Sequence, residues 1–534
     1  MASRPMASRP MVALMLALSI VVMLARPRWI GAAGTEQWPN SLPPILSSGL
    51  DPAKIEQKPY REYVRQCLDL LIEYGTDRYG PIRSPLLVTI LDVRTRQCPE
   101  RPLPLDEAWR VVRPERRGPA GSNWYLDQAT LRAMQQLSAS GGGPRYHEFV
   151  RQYVAYAMQH LVDEKGLFWW GWHRHYDVFL DKMTGHMGNF HEIHVQDVAW
   201  QELWDVDPRA VRREIEGLWQ WHVIDKQTGE INRHADGHRG CDFAMTGGEI
   251  LHAFAFLYQQ THEPEWLERT RLIANYYWKV RHPKTGLIPN RPNAGAERFD
   301  GSHFDTSIAA FLVHGLLCAS ELTGQQGFRD QAIAYLKAYA EYGYDAKSGQ
   351  FWASLNLDGT PVPGPRIAGG YAQYEPRGHV DLWQPYAAGY EHPLAAAQAY
   401  AQACRITGDP ELLAAAQRWA DCVRKQFPPR GCQEKTWYAD YARQFAPHGT
   451  YAEHYGRAIS FFLQLNRLTG DTAYRDFARQ VAREALAKLY YNGLLRGHPA
   501  KPYYEAMDGV GYLLVALLQL DRVMSGRTVA LDNW

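Results

Sequence analysis

The 534-residue chain lacks several features that mark familiar protein classes. Its seven cysteines are scattered and contain no CxxC pair, which excludes the common zinc-ribbon and thioredoxin-type motifs. It has no GxGxxG turn between a strand and a helix and no phosphate loop, so the usual nucleotide-binding motifs are absent. Neither charge sign dominates, with 58 Lys and Arg against 57 Asp and Glu. A balanced surface of this kind argues against nucleic acid as the partner.

Long apolar runs are also scarce. The run at residues 11–25 has 15 residues, whereas a membrane-spanning helix needs ~20. Arginines precede and follow this run, and small residues come next, up to Gly34. This order predicts a secretory signal peptide over residues 1–33, with cleavage near Ala33. We therefore expect a secreted or periplasmic protein that makes no membrane contact after cleavage.

Two turn signatures alternate along the rest of the chain. The first is a glycine after a short charged stretch, found at Gly166, Gly229, Gly286, Gly349 and Gly493. The second is Thr-Gly-Asp or a variant of it, beginning at Thr261, Thr323, Thr407 and Thr469. Most of these turns recur at intervals of about 60 residues, which is typical of a repeated supersecondary unit.

Two kinds of helix-period segment lie between the turns. Seven are amphipathic, at residues 57–75, 145–162, 208–224, 264–281, 327–344, 411–427 and 472–489. Seven are apolar on nearly every side, at residues 123–137, 191–205, 243–260, 307–317, 389–406, 450–468 and 511–518. A helix without a polar face must be surrounded by protein. The alternation predicts an all-α fold, an (α/α) toroid of six to seven helical hairpins with inner and outer helix rings.

The predicted domain organisation follows from the repeat. Residues 34–56 are expected to form an N-terminal extension, residues 57–525 a single toroid catalytic domain, and residues 526–534 a C-terminal tail. A single core normally stops growing well below this size, but repeated units evade that limit because each packs mainly on its neighbours.

Long loops connect outer to inner helices and are expected at one end of the ring. They cover residues 163–194, 225–243, 283–305, 345–392, 428–454 and 490–508 and hold 13 of the 20 histidines. They end at the N-termini of inner helices, whose free N–H groups favour an anion. They also carry arginines, which suit carboxylates, and aromatic residues, which suit sugar rings. An acidic polysaccharide or oligosaccharide is the expected partner.

The order of elements, the Gly-Leu-Phe-type turns and the segment Tyr504-Glu-Ala-Met-Asp508-Gly-Val-Gly-Tyr resemble the α/α-toroid polysaccharide lyases that cleave alginate, glucuronan or pectate. The likeness covers most of the chain as architecture, and unsaturated glucuronyl hydrolases and sugar epimerases share it. The resemblance implies cleavage of a uronate glycosidic bond by β-elimination. In that reaction the carboxylate is neutralised, a base removes the C5 proton, and an acid protonates the leaving oxygen.

The densest group of candidate catalytic residues lies in the loop at 163–194. Asn189 and His191 resemble the Asn-His element with which toroid alginate lyases neutralise the carboxylate, although there the two residues are adjacent and a tyrosine follows shortly. The base is left open among His191, His194 and Tyr176, and Arg239 completes the predicted catalytic set.

Other loop residues are predicted to contact substrate. These are Trp172, His173, Arg174, Glu192, Arg233, His234, Arg291, His303, Tyr371, Tyr374 and His454. Tyr176, Tyr371 or Tyr374 could supply the acid. No cofactor is assigned with certainty. A divalent cation is compatible with the sequence, because two histidines three residues apart on a helix share a face, but HExxH spacing is absent.

Two other functions fit the same pattern. An α/α-barrel glycoside hydrolase of the unsaturated glucuronyl hydrolase type would use two carboxylates at inner-helix starts, chosen from Asp242, Asp305, Glu391, Glu453, Glu505 and Asp508. A non-catalytic glycan-binding protein would use the same aromatic residues and arginines, but its histidines would be dispensable.

Overall fold

Helices dominate the computed structural model, and they fall into two sets that alternate along the chain. The structure describes residues 50, 52–100, 121–172, 174–185, 191–193, 198–293, 301–364, 375–383, 391–429, 449–499 and 501–527. The outer helices are α1 Tyr60–Tyr74, α3 Arg145–His160, α5 Pro208–Gly217, α7 Pro264–Trp278, α9 Gln326–Tyr342, α11 Pro410–Gln426 and α13 Thr472–Leu489. The inner helices are α2 Gln128–Leu137, α4 Trp200–Trp204, α6 Ala244–Thr261, α8 Val313–Thr323, α10 Pro393–Thr407, α12 Ala452–Thr469 and α14 Val510–Met524.

Burial separates the two sets as the sequence predicts. In the inner helix α14 every residue from Val510 to Asp521 is buried. In the outer helix α1 only one stripe is buried, which includes Val64, Leu68 and Leu71, and the opposite face meets solvent. The prediction of an all-α (α/α) toroid with an inner and an outer ring is therefore confirmed, with seven hairpins in the described residues.

The ring closes between its first and last hairpins. Inner helices α6 and α8, α10 and α12, and α12 and α14 pack on one another in sequence, and α14 also packs on α2. Strand β1, Ile90–Asp92, pairs antiparallel with β13, Tyr503–Glu505, so that both ends of the toroid share one small sheet. The long Pro-rich connection before α2 thus contributes to closure.

Each part of the Thr-Gly-Asp signature has a structural role in the turn after an inner helix. At the end of α10, the Thr407 hydroxyl donates to the Ala403 carbonyl and accepts from the backbone N–H of Asp409. Gly408 takes the left-handed conformation that ends the helix, with φ of 69°. The Asp409 carboxylate then accepts from the Glu411 N–H and caps α11. This tight connection leaves the long loops to the other end of the ring.

Short two- and three-stranded sheets shape those long loops. Strands β2 Gly121–Ser122, β3 Arg174–Asp177 and β4 Lys182–Gly185 form one sheet, β5 Val223–Asp225 pairs with β6 Glu230–Ile231, and β7 Phe304–Asp305 pairs with β10 Ser354–Leu355. The pairs β8 Tyr344–Asp345 with β9 Gln350–Phe351 and β11 Tyr490–Tyr491 with β12 Leu494–Leu495 complete the set in the described ranges. None of the helices described has both the length and the apolar character needed to cross a membrane.

One predicted inner helix is wrong in extent. The sequence predicts a helix over residues 191–205, but among the described residues of this range only Trp200–Trp204 is helical, and residues 191–193 are extended. The Ile193 N–H donates to the Arg233 carbonyl, and the Ala235 N–H donates to the His191 carbonyl. Because these groups pair across two loops, they are not available for helical hydrogen bonds. His191 is therefore not helical, and His194, the other histidine of the expected helical pair, lies outside the described residues.

Candidate functional site

Two of the long loops cross at an antiparallel bridge between Glu192 and His234, and this bridge assembles a charged cluster. The Nε of Arg233 lies 3.3 Å from Glu192 Oε1, and His234 Nε2 lies 3.4 Å from the same oxygen. The guanidinium groups of Arg233 and Arg291 both approach the ring of Phe243, at 4.7 Å and 5.5 Å from its centroid. We call Glu192, Arg233, His234 and Arg291 the Arg233 cluster.

All four members of the Arg233 cluster are substrate contacts predicted from the sequence, and the structure brings them together. The cluster contains two guanidinium groups and one carboxylate, and Asp236 Oδ2 lies 4.0 Å from His234 Nδ1. All four residues are at least nine-tenths buried, where water screens charge poorly. The two guanidinium groups favour an anion, and their planar shape matches a carboxylate by two parallel hydrogen bonds.

A chain of hydrogen bonds lies directly beneath the Arg233 cluster. His222 Nδ1 is 2.8 Å from the carbonyl oxygen of Asn232 and must donate to it, so His222 Nε2 accepts from His191 Nδ1 at 2.8 Å. The remaining nitrogen, His191 Nε2, accepts from Trp170 Nε1 at 3.0 Å and lies 3.2 Å from Glu214 Oε1. Because the Asn232 carbonyl can only accept a hydrogen bond, it fixes the tautomers of both His222 and His191.

Burial keeps this chain neutral. His191, His222 and Glu214 are completely buried. Burial lowers the pKa of His191 to about 3 and holds the pKa of His222 well below its usual value. Burial also raises the pKa of Glu214 to about 8, so its protonated carboxyl can donate to His191 Nε2 at neutral pH. These contacts favour a positioning role for His191.

Asn232 connects the buried chain to the Arg233 cluster. Its carbonyl accepts from His222, and its side-chain oxygen accepts from the backbone N–H of His234 at 2.8 Å. Its side-chain nitrogen donates to the His238 carbonyl at 2.8 Å. Asn232 precedes Arg233 in the chain, so the buried hydrogen bonds fix the backbone from which the arginine projects.

We expect Glu214→Gln to raise the thermal unfolding temperature at about pH 8 and to leave it nearly unchanged at about pH 5. The folded-state pKa of Glu214 is raised, so the stability that its carboxyl provides is complete below the unfolded value of 4.5 and is lost as the pH rises through about 8. Glutamine keeps a donor and an acceptor but does not titrate. His191 and His222, whose pKa values are lowered, destabilise the fold as the pH falls below their usual 6.5. Because both histidines are present in the wild type and in Glu214→Gln, this effect cancels when the unfolding temperatures of the two proteins are compared. Equal pH profiles for the two proteins would contradict a protonated Glu214.

Two predicted residues of the first loop are held in buried contacts. Arg174 lies over the Trp169 ring, and its Nη1 donates to Asp163 Oδ2 at 2.7 Å. The Tyr176 hydroxyl donates to Asp181 Oδ1 at 3.2 Å, and burial raises its pKa. Arg174 thus has a buried carboxylate partner, and a raised pKa makes Tyr176 a poor base.

Other predicted residues have described partners outside the Arg233 cluster. Arg239 pairs with Glu230 and Asp225, and 63% of its side chain is exposed. His303 Nδ1 lies 2.7 Å from Glu375 Oε1. His454 is half-buried beside Thr450, and loss of contact with solvent lowers its pKa to about 4. Trp172 is half-buried. The predicted residues outside the described ranges are His173, Asn189, His194, Tyr371 and Tyr374.

The supporting residues Glu214, His222 and Asn232 were not among the predicted site residues. Glu214 lies in the charged helix α5, where a glutamate is usually exposed. The spacing of Ala210, Val211, Glu214 and Ile215 nevertheless places it on the buried stripe of that helix. This helical spacing could have predicted from the sequence that Glu214 is buried. No comparable pattern in the sequence singles out Asn232.

Glu192 and His234 could hold a divalent cation, since a carboxylate and an imidazole are common ligands of such ions. They are adjacent across the bridge, with 3.4 Å between Oε1 and Nε2. The Sγ of Cys241 lies 3.7 Å from His234 Nδ1.

Comparisons with known proteins relate the chain to pectate lyases. A family model described as periplasmic pectate lyase matches residues 106–242 and 299–531. A pectate disaccharide-lyase from Dickeya dadantii (strain 3937) is 24% identical over 258 residues, which are 42% of this chain and 45% of that protein. The match thus spans less than half the length of that relative. Three members of the Arg233 cluster, Glu192, Arg233 and His234, lie inside the segments matched by the family model.

Several solved structures are similar to the chain. A D-mannose isomerase has a TM-score of 0.47 at 12% identity, covering 74% of this chain and 98% of that one. A cellobiose 2-epimerase from Bacillus thermoamylovorans B4167 has a TM-score of 0.46 at 9% identity, covering 87% and 98%. An α-1,6-mannanase from Salegentibacter sp. HEL1_6 has a TM-score of 0.43 at 9% identity, covering 87% and 99%.

Proposed function

Since the chain belongs to the periplasmic pectate lyase family, we propose that it cleaves a pectate-type polysaccharide by β-elimination, outside the cytoplasm. The observation that carries this proposal is the Arg233 cluster, which lies mostly within the matched segments. It combines the charge and the geometry needed to bind the carboxylate of a uronate.

The reaction requires that the substrate carboxylate be neutralised, because only then is the neighbouring C5 proton acidic enough to be removed. In our proposal Arg233 and Arg291 bind the carboxylate, and Glu192 orients Arg233. A base then takes the C5 proton, a double bond forms between C4 and C5, and the C4–O bond breaks. The leaving oxygen takes up a proton.

Three residues were predicted as the base, and the contacts of two of them argue against that role. His191 has both nitrogens in the buried chain, and Tyr176 has a raised pKa. His194 remains the predicted base, and it follows Ile193, whose backbone pairs with Arg233. Tyr176, Tyr371 and Tyr374 remain the predicted acids, and the raised pKa of Tyr176 keeps its hydroxyl protonated. Asn189 and His173 remain predicted contacts to the carboxylate and the sugar.

A divalent cation fits the same proposal, held by Glu192 and His234. Bound there, it would supply additional positive charge for the substrate carboxylate. The amino-acid residues would still orient the sugar and move the protons.

The test is the absorbance of the unsaturated product near the ultraviolet edge during incubation of the full chain with polygalacturonate. Alginate and glucuronan serve as comparison polymers. We expect a rise on polygalacturonate, a smaller rate after treatment with EDTA, and recovery when a divalent cation is added. New reducing ends without ultraviolet absorbance would contradict β-elimination and favour the hydrolase. Binding without cleavage of any polymer would favour a glycan-binding protein.

A further inference from the structure

A second group of metal-binding side chains lies in the inner ring, away from the long loops. His252 on α6 and His314 and Cys318 on α8 place one ligand atom each within 4.8 Å of one another. All three side chains are partly exposed. None belongs to the Arg233 cluster or to the buried chain beneath it.

Helix geometry and close packing bring these three ligands together. His314 and Cys318 are four residues apart on α8, so they lie on the same face of the helix. Helices α6 and α8 touch through glycines, since a Cβ on Gly315 would collide with the Gly248 carbonyl. Gly248 is one helical turn before His252, and Gly315 is next to His314. Larger residues at the two glycines would hold the histidines apart.

The hydrogen bonds of His314 suit a metal ligand. Its Nδ1 lies 3.0 Å from Gln402 Oε1 on α10, and an amide oxygen can only accept, so Nδ1 carries the proton. The lone pair is then on Nε2, which lies 3.3 Å from Cys318 Sγ. Tetrahedral zinc bound through one imidazole and one thiolate separates those two atoms by about 3.6 Å. An outer hydrogen bond that fixes the tautomer is usual for histidines that bind metals.

We propose that His252, His314 and Cys318 bind one zinc-like divalent ion that links α6 to α8. The thiolate makes this site selective for softer ions than the oxygen-rich sites that bind calcium or magnesium. Binding releases the thiol proton, so the affinity falls as the pH is lowered. The ion completes its coordination with a water molecule and stabilises the inner ring. The site does not depend on the proposed reaction.

The test uses Co²⁺ as the probe and the full chain after removal of bound metal. Cobalt bound to a thiolate has a charge-transfer absorption in the near ultraviolet, which imidazole and carboxylate ligands do not give. We expect this band to saturate at one equivalent, to disappear in Cys318→Ser and to weaken in His252→Ala, with at least a tenfold loss of affinity. Cys404→Ser is the matched control, because Cys404 is also on an inner helix but outside the group, and it should keep the band.

Two further measurements make the result decisive. Zn²⁺ should raise the thermal unfolding temperature of the wild type but not that of Cys318→Ser, whose metal-free unfolding temperature reports whether it folds normally. Cys241 lies next to His234, so a band that is retained in Cys318→Ser but lost in Cys241→Ser would place the ion in the Arg233 cluster and overturn the proposal. Stoichiometric cobalt binding without a thiolate band would overturn it as well.

Discussion

Arg233→Ala is expected to lower kcat/KM on polygalacturonate by about 10²- to 10³-fold, the usual cost of removing one charged or hydrogen-bonding group that stabilises the transition state. The guanidinium is at the crossing of the two loops, within reach of Glu192 and alongside Arg291 on the Phe243 ring. Its loss leaves the uronate carboxylate without one of its two proposed cationic partners.

Two companion variants separate this effect from a general loss of charge or fold. Arg233→Lys keeps the charge but loses the planar pair of donors, so we expect intermediate activity. Arg405→Ala removes an arginine that is also paired with a glutamate, Glu321, but near the short turns at the opposite end of the ring. It should leave the activity unchanged. If Arg233→Ala kept most of its activity while remaining folded, the assignment of the cluster to substrate binding would be wrong.

His191→Ala is expected to reduce the free energy of unfolding by about 3–5 kcal/mol, a change visible in urea denaturation. The substitution opens a cavity beneath the loops and removes the partner of His222 Nε2 and of Trp170 Nε1, all in a fully buried region. Any loss of activity should accompany the loss of stability, because the His191 side chain acts on the Arg233 cluster through the hydrogen bonds of His222 and Asn232.

The comparison of the two variants distinguishes positioning from catalysis. Arg233→Ala should change kcat/KM far more than it changes stability, and His191→Ala should do the reverse. A stable His191→Ala protein with a large fall in kcat and an altered pH profile would restore His191 as the base. That outcome would require the buried chain to open when substrate binds.

The family match and the structure together narrow the choice among the functions that the sequence left open. The rival hydrolase needs two carboxylates, and several of the candidates are held by other groups. Lys501 donates to both Glu505 and Asp508, and Asp242 accepts from Tyr276 and from the Asn293 backbone. The Arg233 cluster instead offers two guanidinium groups, which in the proposed β-elimination would neutralise the substrate carboxylate.

The sequence by itself determined the toroid. A helix that meets solvent on one face repeats polar residues about once per helical turn, and a helix surrounded by protein does not. The alternation of amphipathic segments such as α1 with apolar segments such as α14 is therefore visible in the sequence alone. The Thr-Gly-Asp turns could also be predicted from the sequence, because the hydroxyl, the glycine and the capping carboxylate act within a few residues of one another. The same holds for the concentration of histidines and arginines in the long loops, whereas the roles of Glu192, Arg233, His234 and Arg291 as substrate contacts stay predictions.

Only the tertiary structure decided which of these residues meet and what each does. Glu192 and His234 are 42 residues apart in the chain, and the bridge between them depends on how two loops cross. That crossing removed residues 191–193 from the predicted helix, and it placed His191 in a buried chain with Glu214 and His222. Hydrogen bonds between distant segments compete with local helix formation and win where their partners are buried. The outcome depends on how distant segments pack together, and a local sequence pattern does not predict that packing.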